Sequence, residues 1–255
     1  MAANTTARLG ALGRAELTLL VRNRTALFVA LLMPLSLVLV IRSSLDQVDL
    51  GAAGMSVIEA ALTGGIGMVL LMVVHTNLVS AYVARREGLV LKRLRTGEPS
   101  DREILTGIAL PSLALALAQC ALLVTGGAAL LDVRAPQRPV LLAAGVLLGL
   151  VLMTALAAAT SAVTRSVDSA QLTTLPMFLV SAMGSGLFAP LQVFPERIAS
   201  LCELLPLTGV MTLVRAGWLG GGDTKELLGA ALTALAWTVI SVFAVQRWFR
   251  WEPRR

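Results

Sequence analysis

Long apolar runs that contain no Asp, Glu, Lys or Arg recur along this 255-residue chain, and they constrain its fold more than any other feature. A helix rises about 1.5 Å per residue, so about 20 apolar residues cross a hydrocarbon core about 30 Å thick. Six such runs are present: 25–41, 60–84, 104–131, 140–163, 171–190 and 227–245. The first is short, but Arg22 and Arg24 beside it have stems long enough to reach the interface. Composition agrees: 56% of residues are hydrophobic and 14% charged, against about 45–50% and about 25% in ordinary globular domains. The expectation is an all-α membrane protein of six transmembrane helices forming one domain over 1–255, and a soluble enzyme is excluded.

Two cysteines, Cys120 and Cys202, cannot build a disulfide framework and lie in no metal-type spacing. The net charge of +6 matters through its placement rather than as a sign of nucleic-acid binding, and no nucleic-acid partner is expected. With the amino end inside, the inner segments carry 15 Lys and Arg and the outer segments 6, while acidic residues split 7 to 8. Lys and Arg alone carry this asymmetry, which places both termini on the cytoplasmic side of the inner (plasma) membrane. The tail fits, because Trp248 and Trp251 suit headgroup depth while Arg247, Arg250, Arg254 and Arg255 meet anionic lipid. Arg-Ser-Ser-Leu-Asp-Gln follows Ile41 in place of a small-x-small site, so the first run is expected to stay as an anchor.

The segments between the runs are equally informative. Over 7–22, Leu9, Leu12, Leu17, Leu19 and Leu20 share half a helical wheel and Arg8, Arg14 and Arg22 take the other, although Glu16 falls among the leucines. This pattern describes an interfacial helix lying on the inner surface, with a disordered basic end as the alternative. The second inner connection, 85–103, reads R-R-E-G-L-V-L-K-R-L-R-T-G-E-P-S-D-R-E. A short helix is expected within 86–96, about two turns from Gly88 to Arg95, with Leu89, Leu91 and Leu94 available for packing and Lys92, Arg93 and Arg95 exposed. Gly97 and Pro99 stop it, and Ser100 with Glu103 forms a capping box for the next helix.

Between 191 and 208, Pro195-Glu196-Arg197 can open a helix, and Ile198, Leu201, Cys202 and Leu205 form a stripe too short to span. A short external re-entrant segment is expected there, before the last span.

This order of parts resembles the membrane subunit of type-2 ATP-binding-cassette (ABC) transporters, the drug- and antibiotic-exporter-like permeases. Their loop after the second span reads like R-E-x-G-T-L-K-x-L-R-x-T-P, close to 86–99 here. This chain departs at Val90, and Gly97-Glu98 separates Thr96 from Pro99. The Leu205-Pro206-Leu207-Thr208 segment and a downstream Arg215 are similar to the same family's broken hairpin.

The resemblance implies a permease dimer, with a second subunit that is identical or related, and separate ATP-binding-cassette ATPase subunits docked on the inner face. No G-x-x-x-x-G-K-[ST] occurs, so this chain is expected to bind no cofactor and to perform no catalysis; ATP and Mg would sit on the partner. The coupling contact to that partner would comprise Glu87, Gly88, Leu91, Lys92, Arg93, Leu94 and Arg95. Charge would steer docking and the leucines would anchor the helix, while Glu87 is free to pair with Arg14 or with adjacent basic residues.

Within the spans, Gly64, Gly65 and Gly67, and the G-x-x-x-G pair Gly145 and Gly149, let helices approach closely where lipid supplies no hydrophobic drive. A pathway lining is expected from Met177, Ser181, Met183 and Ser185, although core packing is the competing use of each. His75, the single histidine, can face the pathway or bond a neighbouring Ser or Thr.

Gly184-Ser185-Gly186 with His75 raises an intramembrane protease, but Met183 stands where a rhomboid-like G-x-S-G needs Gly, and the histidine precedes the serine. An ion-gradient-driven secondary transporter is the stronger rival, although a lone histidine is its one midplane ionisable group. With 6 Phe, 4 Trp and 1 Tyr, the chain has few rings to line a sugar channel. The expected cargo of export is therefore a hydrophobic or amphiphilic drug, antibiotic or lipid, with a polysaccharide as the family's alternative.

Overall fold

The computed structural model describes residues 36, 56–97, 99–130, 133–187 and 195–253. The expected interfacial helix at 7–22 and, apart from Ser36, the expected span at 25–41 lie outside the described residues. Among those described, every regular element is a helix. Four helices are long and apolar enough to cross a membrane, and a bent pair can make a fifth crossing.

The central element, α1, runs Val57–Glu87 and extends past the expected 60–84 at both ends. A capping box starts it: Ser56 Oγ accepts from Glu59 N at 3.2 Å, and the Glu59 carboxylate accepts from Ser56 N at 2.8 Å. Its middle, Leu70–Thr76, widens into a π-helical turn. Leu62, Ile66, Leu70, Leu71, Val74, Leu78, Val79 and Val83 leave at most 1% of their surface exposed, so α1 is covered over most of its surface. The most apolar stretch of α1 is 78% buried, against 17% for that of the last helix, which therefore presents most of its surface outward.

Helix α2 (Val90–Arg95) is followed by α3 (Asp101–Leu130), and the capping box read from the sequence is present. Glu103 Oε2 accepts from Ser100 N at 2.7 Å, and Ser100 Oγ accepts from Glu103 N at 3.3 Å. Helix α4 (Pro139–Val163) begins on a proline, whose missing N–H costs nothing in the first turn. Helix α5 (Val167–Gly184) starts on Ser166 and ends before the expected limit of 190. Ser185–Leu187 are already non-helical, and 188–190 lie outside the described residues.

The largest departure from the sequence reading concerns the expected re-entrant segment, 191–208. Helix α6 (Glu196–Glu203) turns by 92° into α7 (Pro206–Leu219), so the apolar excursion continues eleven residues beyond 208. Small residues explain how α7 enters the bundle. A Cβ on Gly209 would collide with the Ala230 backbone, and one on Gly217 would come within 2.5 Å of Leu142 N. On α4, Gly145 faces Leu213 and Val214 while Gly149 faces Val210, so the G-x-x-x-G pair receives α7. The last helix, α8 (Thr224–Trp248), pins the bend through Trp237 Nε1, which donates to the Leu204 carbonyl at 2.8 Å.

Candidate functional site

The basic helix α2 is built from the residues that precede it. Arg86 ends α1 with 1% of its surface exposed; its Nη1 donates to the Ser161 carbonyl at 2.8 Å and its Nη2 to the Thr164 carbonyl at 2.5 Å. These carbonyls belong to the last turn and exit of α4, where no intrahelical N–H remains to pair with them. The guanidinium is therefore a clamp between two helix ends and is unavailable as an exposed coupling charge.

Helix α2 is accordingly shorter than the expected 86–96. Gly88 closes α1, and Leu89 takes the left-handed conformation, φ 57° and ψ 15°, which breaks the helix before Val90. Glu87 and Gly88 are exposed at this corner, and Arg14, one candidate partner of Glu87, lies outside the described residues. From the corner, Leu91 is fully buried and Leu94 packs against the core, leaving Lys92, Arg93 and Arg95 on the outer side.

The chain itself engages two of those three cations. Lys92 Nζ lies 3.0 Å from Glu252 Oε1, and Arg95 Nε lies 3.2 Å from Asp101 Oδ1. The Arg95 guanidinium also stands 4.9 Å from the Trp251 ring centroid, a cation–π distance. Trp251 meets Phe249 edge to face at 5.0 Å, and Phe249 meets Tyr82 of α1 at 6.2 Å. The residues after α8 thus fold back against α2, and Lys92, Arg95, Arg250, Trp251, Glu252 and Pro253 line an open groove. Trp251, expected at headgroup depth, instead packs on α2, together with Phe249 and Glu252. An aromatic-acidic tail after a basic helix was the available signal, but it carries no distance.

The expected pathway residues divide. On α5, Ser181 is buried with its Oγ 3.8 Å from Met177 Sδ, and Ser185 is buried just past the helix end. Met183 is 72% exposed and lies on the other side of the helix from Ser181, as a two-residue offset requires. His75 lies in the π-helical turn of α1, fully buried, with Nε2 3.2 Å from Thr160 Oγ1 of α4. It joins α1 to α4.

No curated protein matches the chain. The ABC-2 type transporter family matches it over residues 7–219, most of its length. That stretch takes in α1, the basic α2, the long apolar α3 and α4, and the bent α6–α7 pair. This multi-pass membrane chain therefore belongs to the ABC-2 type transporter family, as a transport permease component.

Proposed function

We propose that the chain is the membrane-spanning permease subunit of an ATP-driven exporter that moves a hydrophobic or amphiphilic drug, antibiotic or lipid out of the cytoplasm. In this reading it has six spans, the first at 25–41, lies in the inner (plasma) membrane with both termini cytoplasmic, and pairs with a second permease subunit. Two ATP-binding-cassette ATPase subunits dock below, and α2 is the contact that receives their motion.

The observation that carries this reading is the construction of α2: Leu91 fixes it in the core while Lys92, Arg93 and Arg95 face outward at one end of the bundle. A six-residue helix held only by its own backbone would be marginal. Seated by a buried leucine and joined to α1 and α3, it moves as part of those helices. A push on its basic face then passes into α1, and through the Arg86 clamp into α4. His75, Met177, Ser181 and Ser185 are the candidate pathway residues, while Met183 belongs to the outer face.

Reversing Lys92, Arg93 and Arg95 to Glu tests this. Purification in mild detergent with native partners should recover the ATPase with the original chain and lose it, or lose substrate-stimulated ATP hydrolysis, with the triple variant. Unchanged stimulated hydrolysis, or labelling of cysteines at 92 and 95 from outside the cell, would sink the proposal.

A further inference from the structure

A second polar site lies at the opposite end of the bundle from α2. Arg138 N donates to the Gly217 carbonyl at 2.9 Å, so this part of α7 sits at the start of α4, whereas Arg86 holds its far end. Here Arg215 Nε and Ser185 Oγ are buried with no hydrogen-bond partner. Trp218 Nε1, one turn beyond Arg215, is in the same condition. Gly186 brings the two chain segments together: at φ +75°, a Cβ there would lie 2.5 Å from Arg215 Nη1 and 3.2 Å from Nη2. A glycine backbone is thus pressed against the guanidinium, a placement that other residues resist on both conformational and steric grounds.

Among the described residues no carboxylate pairs with Arg215. Buried polar groups are normally satisfied, yet Arg215, partly exposed as a residue, keeps its Nε buried and unpaired. The guanidinium is a planar fork of donors whose natural complement is an oxyanion. Leu205 and Cys202 close on Gly184, two residues before Gly186, and Leu201 and Leu204 of the same segment are 68% and 64% exposed. An anion carried on a hydrocarbon chain has a surface for each of its parts.

We infer that Arg215, with Ser185 and the Gly186 turn, binds a phosphate or carboxylate oxyanion, carried by an amphiphile or arriving as the free ion. If the exporter reading holds, this site narrows the cargo or the regulatory lipid to anionic species. Binding itself needs neither nucleotide nor a partner.

The test uses the purified full chain in neutral detergent, without ATPase or nucleotide, so that failure of the exporter reading leaves it intact. Labelled dodecyl phosphate should bind the original chain and bind Arg215→Gln at least tenfold more weakly, with Arg215→Lys in between and dodecanol failing to compete. Competition by inorganic phosphate at equal concentration assigns a free-anion site, and competition by dodecyl phosphate alone assigns an amphiphile; either supports the oxyanion site. Equal binding by a folded Arg215→Gln chain, or no binding to the original, overturns it. Should that variant not fold, phenylglyoxal modification of Arg215 in the original chain decides by peptide mass spectrometry. Slowing by dodecyl phosphate but not by dodecanol supports the site, and an unchanged rate overturns it.

Discussion

Arg86 Nη1 sits 2.8 Å from the Ser161 carbonyl, so the end of the central helix α1 is tied to the end of α4 by a charge that is 1% exposed. Replacing Arg86 with Met should orphan the Ser161 and Thr164 carbonyls, at about 1–3 kcal/mol for each buried group left unpaired. The thermal midpoint in detergent should fall clearly. Arg86→Lys, which keeps the charge without the fork, should lie between. A midpoint within one degree of the original for Arg86→Met would show that the clamp is dispensable.

The Lys92–Glu252 pair is of a different kind, because both side chains are more than half exposed. Exposed pairs contribute about 0–1 kcal/mol, so Glu252→Ala should leave the thermal midpoint nearly unchanged. It should raise the reactivity of Lys92 toward an amine-directed reagent, read by peptide mass spectrometry. Equal Lys92 labelling in both chains would mean that the tail does not cover this cation.

Screening makes a further demand on the α2 surface. Attraction between exposed charges fades beyond about 10 Å at 0.1 M salt and beyond about 3 Å at 1 M. Retention of an ATPase through Lys92, Arg93 and Arg95 should therefore weaken as salt rises during purification, measured by the stoichiometry of co-eluting subunits. Salt-independent retention would point to an apolar contact instead.

Two glycines offer an internal comparison. Gly209→Val drives a side chain into the Ala230 backbone, which cannot step aside as a flexible side chain can, whereas a Cβ at Gly229 meets nothing within 4 Å. The first substitution should cost about 1–3 kcal/mol or more by overpacking. Gly229→Ala should be neutral or slightly stabilising. Similar thermal midpoints for the two variants would contradict the placement of α7.

His75 and Thr160, 3.2 Å apart, invite a double-mutant cycle with His75→Ala and Thr160→Val. Interhelical hydrogen bonds inside membrane proteins average about 0.6 kcal/mol and reach about 1.7. The coupling energy should fall in that range when measured by reversible unfolding, and additive effects would remove the bond.

What the sequence determined by itself was whatever depends on local pattern. Charge-free length marked the four helices that can each cross a membrane, although the run at 171–190 yielded α5, which is not among them; Ser100 with Glu103 marked the start of α3, and Gly145 with Gly149 marked a close approach. Spacing alone expresses each of these. The tertiary structure decided which surfaces meet. It assigned Arg86 to the end of α4, laid Glu252 and Trp251 against α2, seated α7 on the α4 glycines, and set Met183 apart from Ser181. Those relations join residues remote in the chain, and a run of apolar or basic residues looks the same whichever neighbour it will touch. The extent of α7 was hidden for the same reason: fourteen residues are too few to span alone, and only the groove offered by α4 and α8 makes their burial favourable.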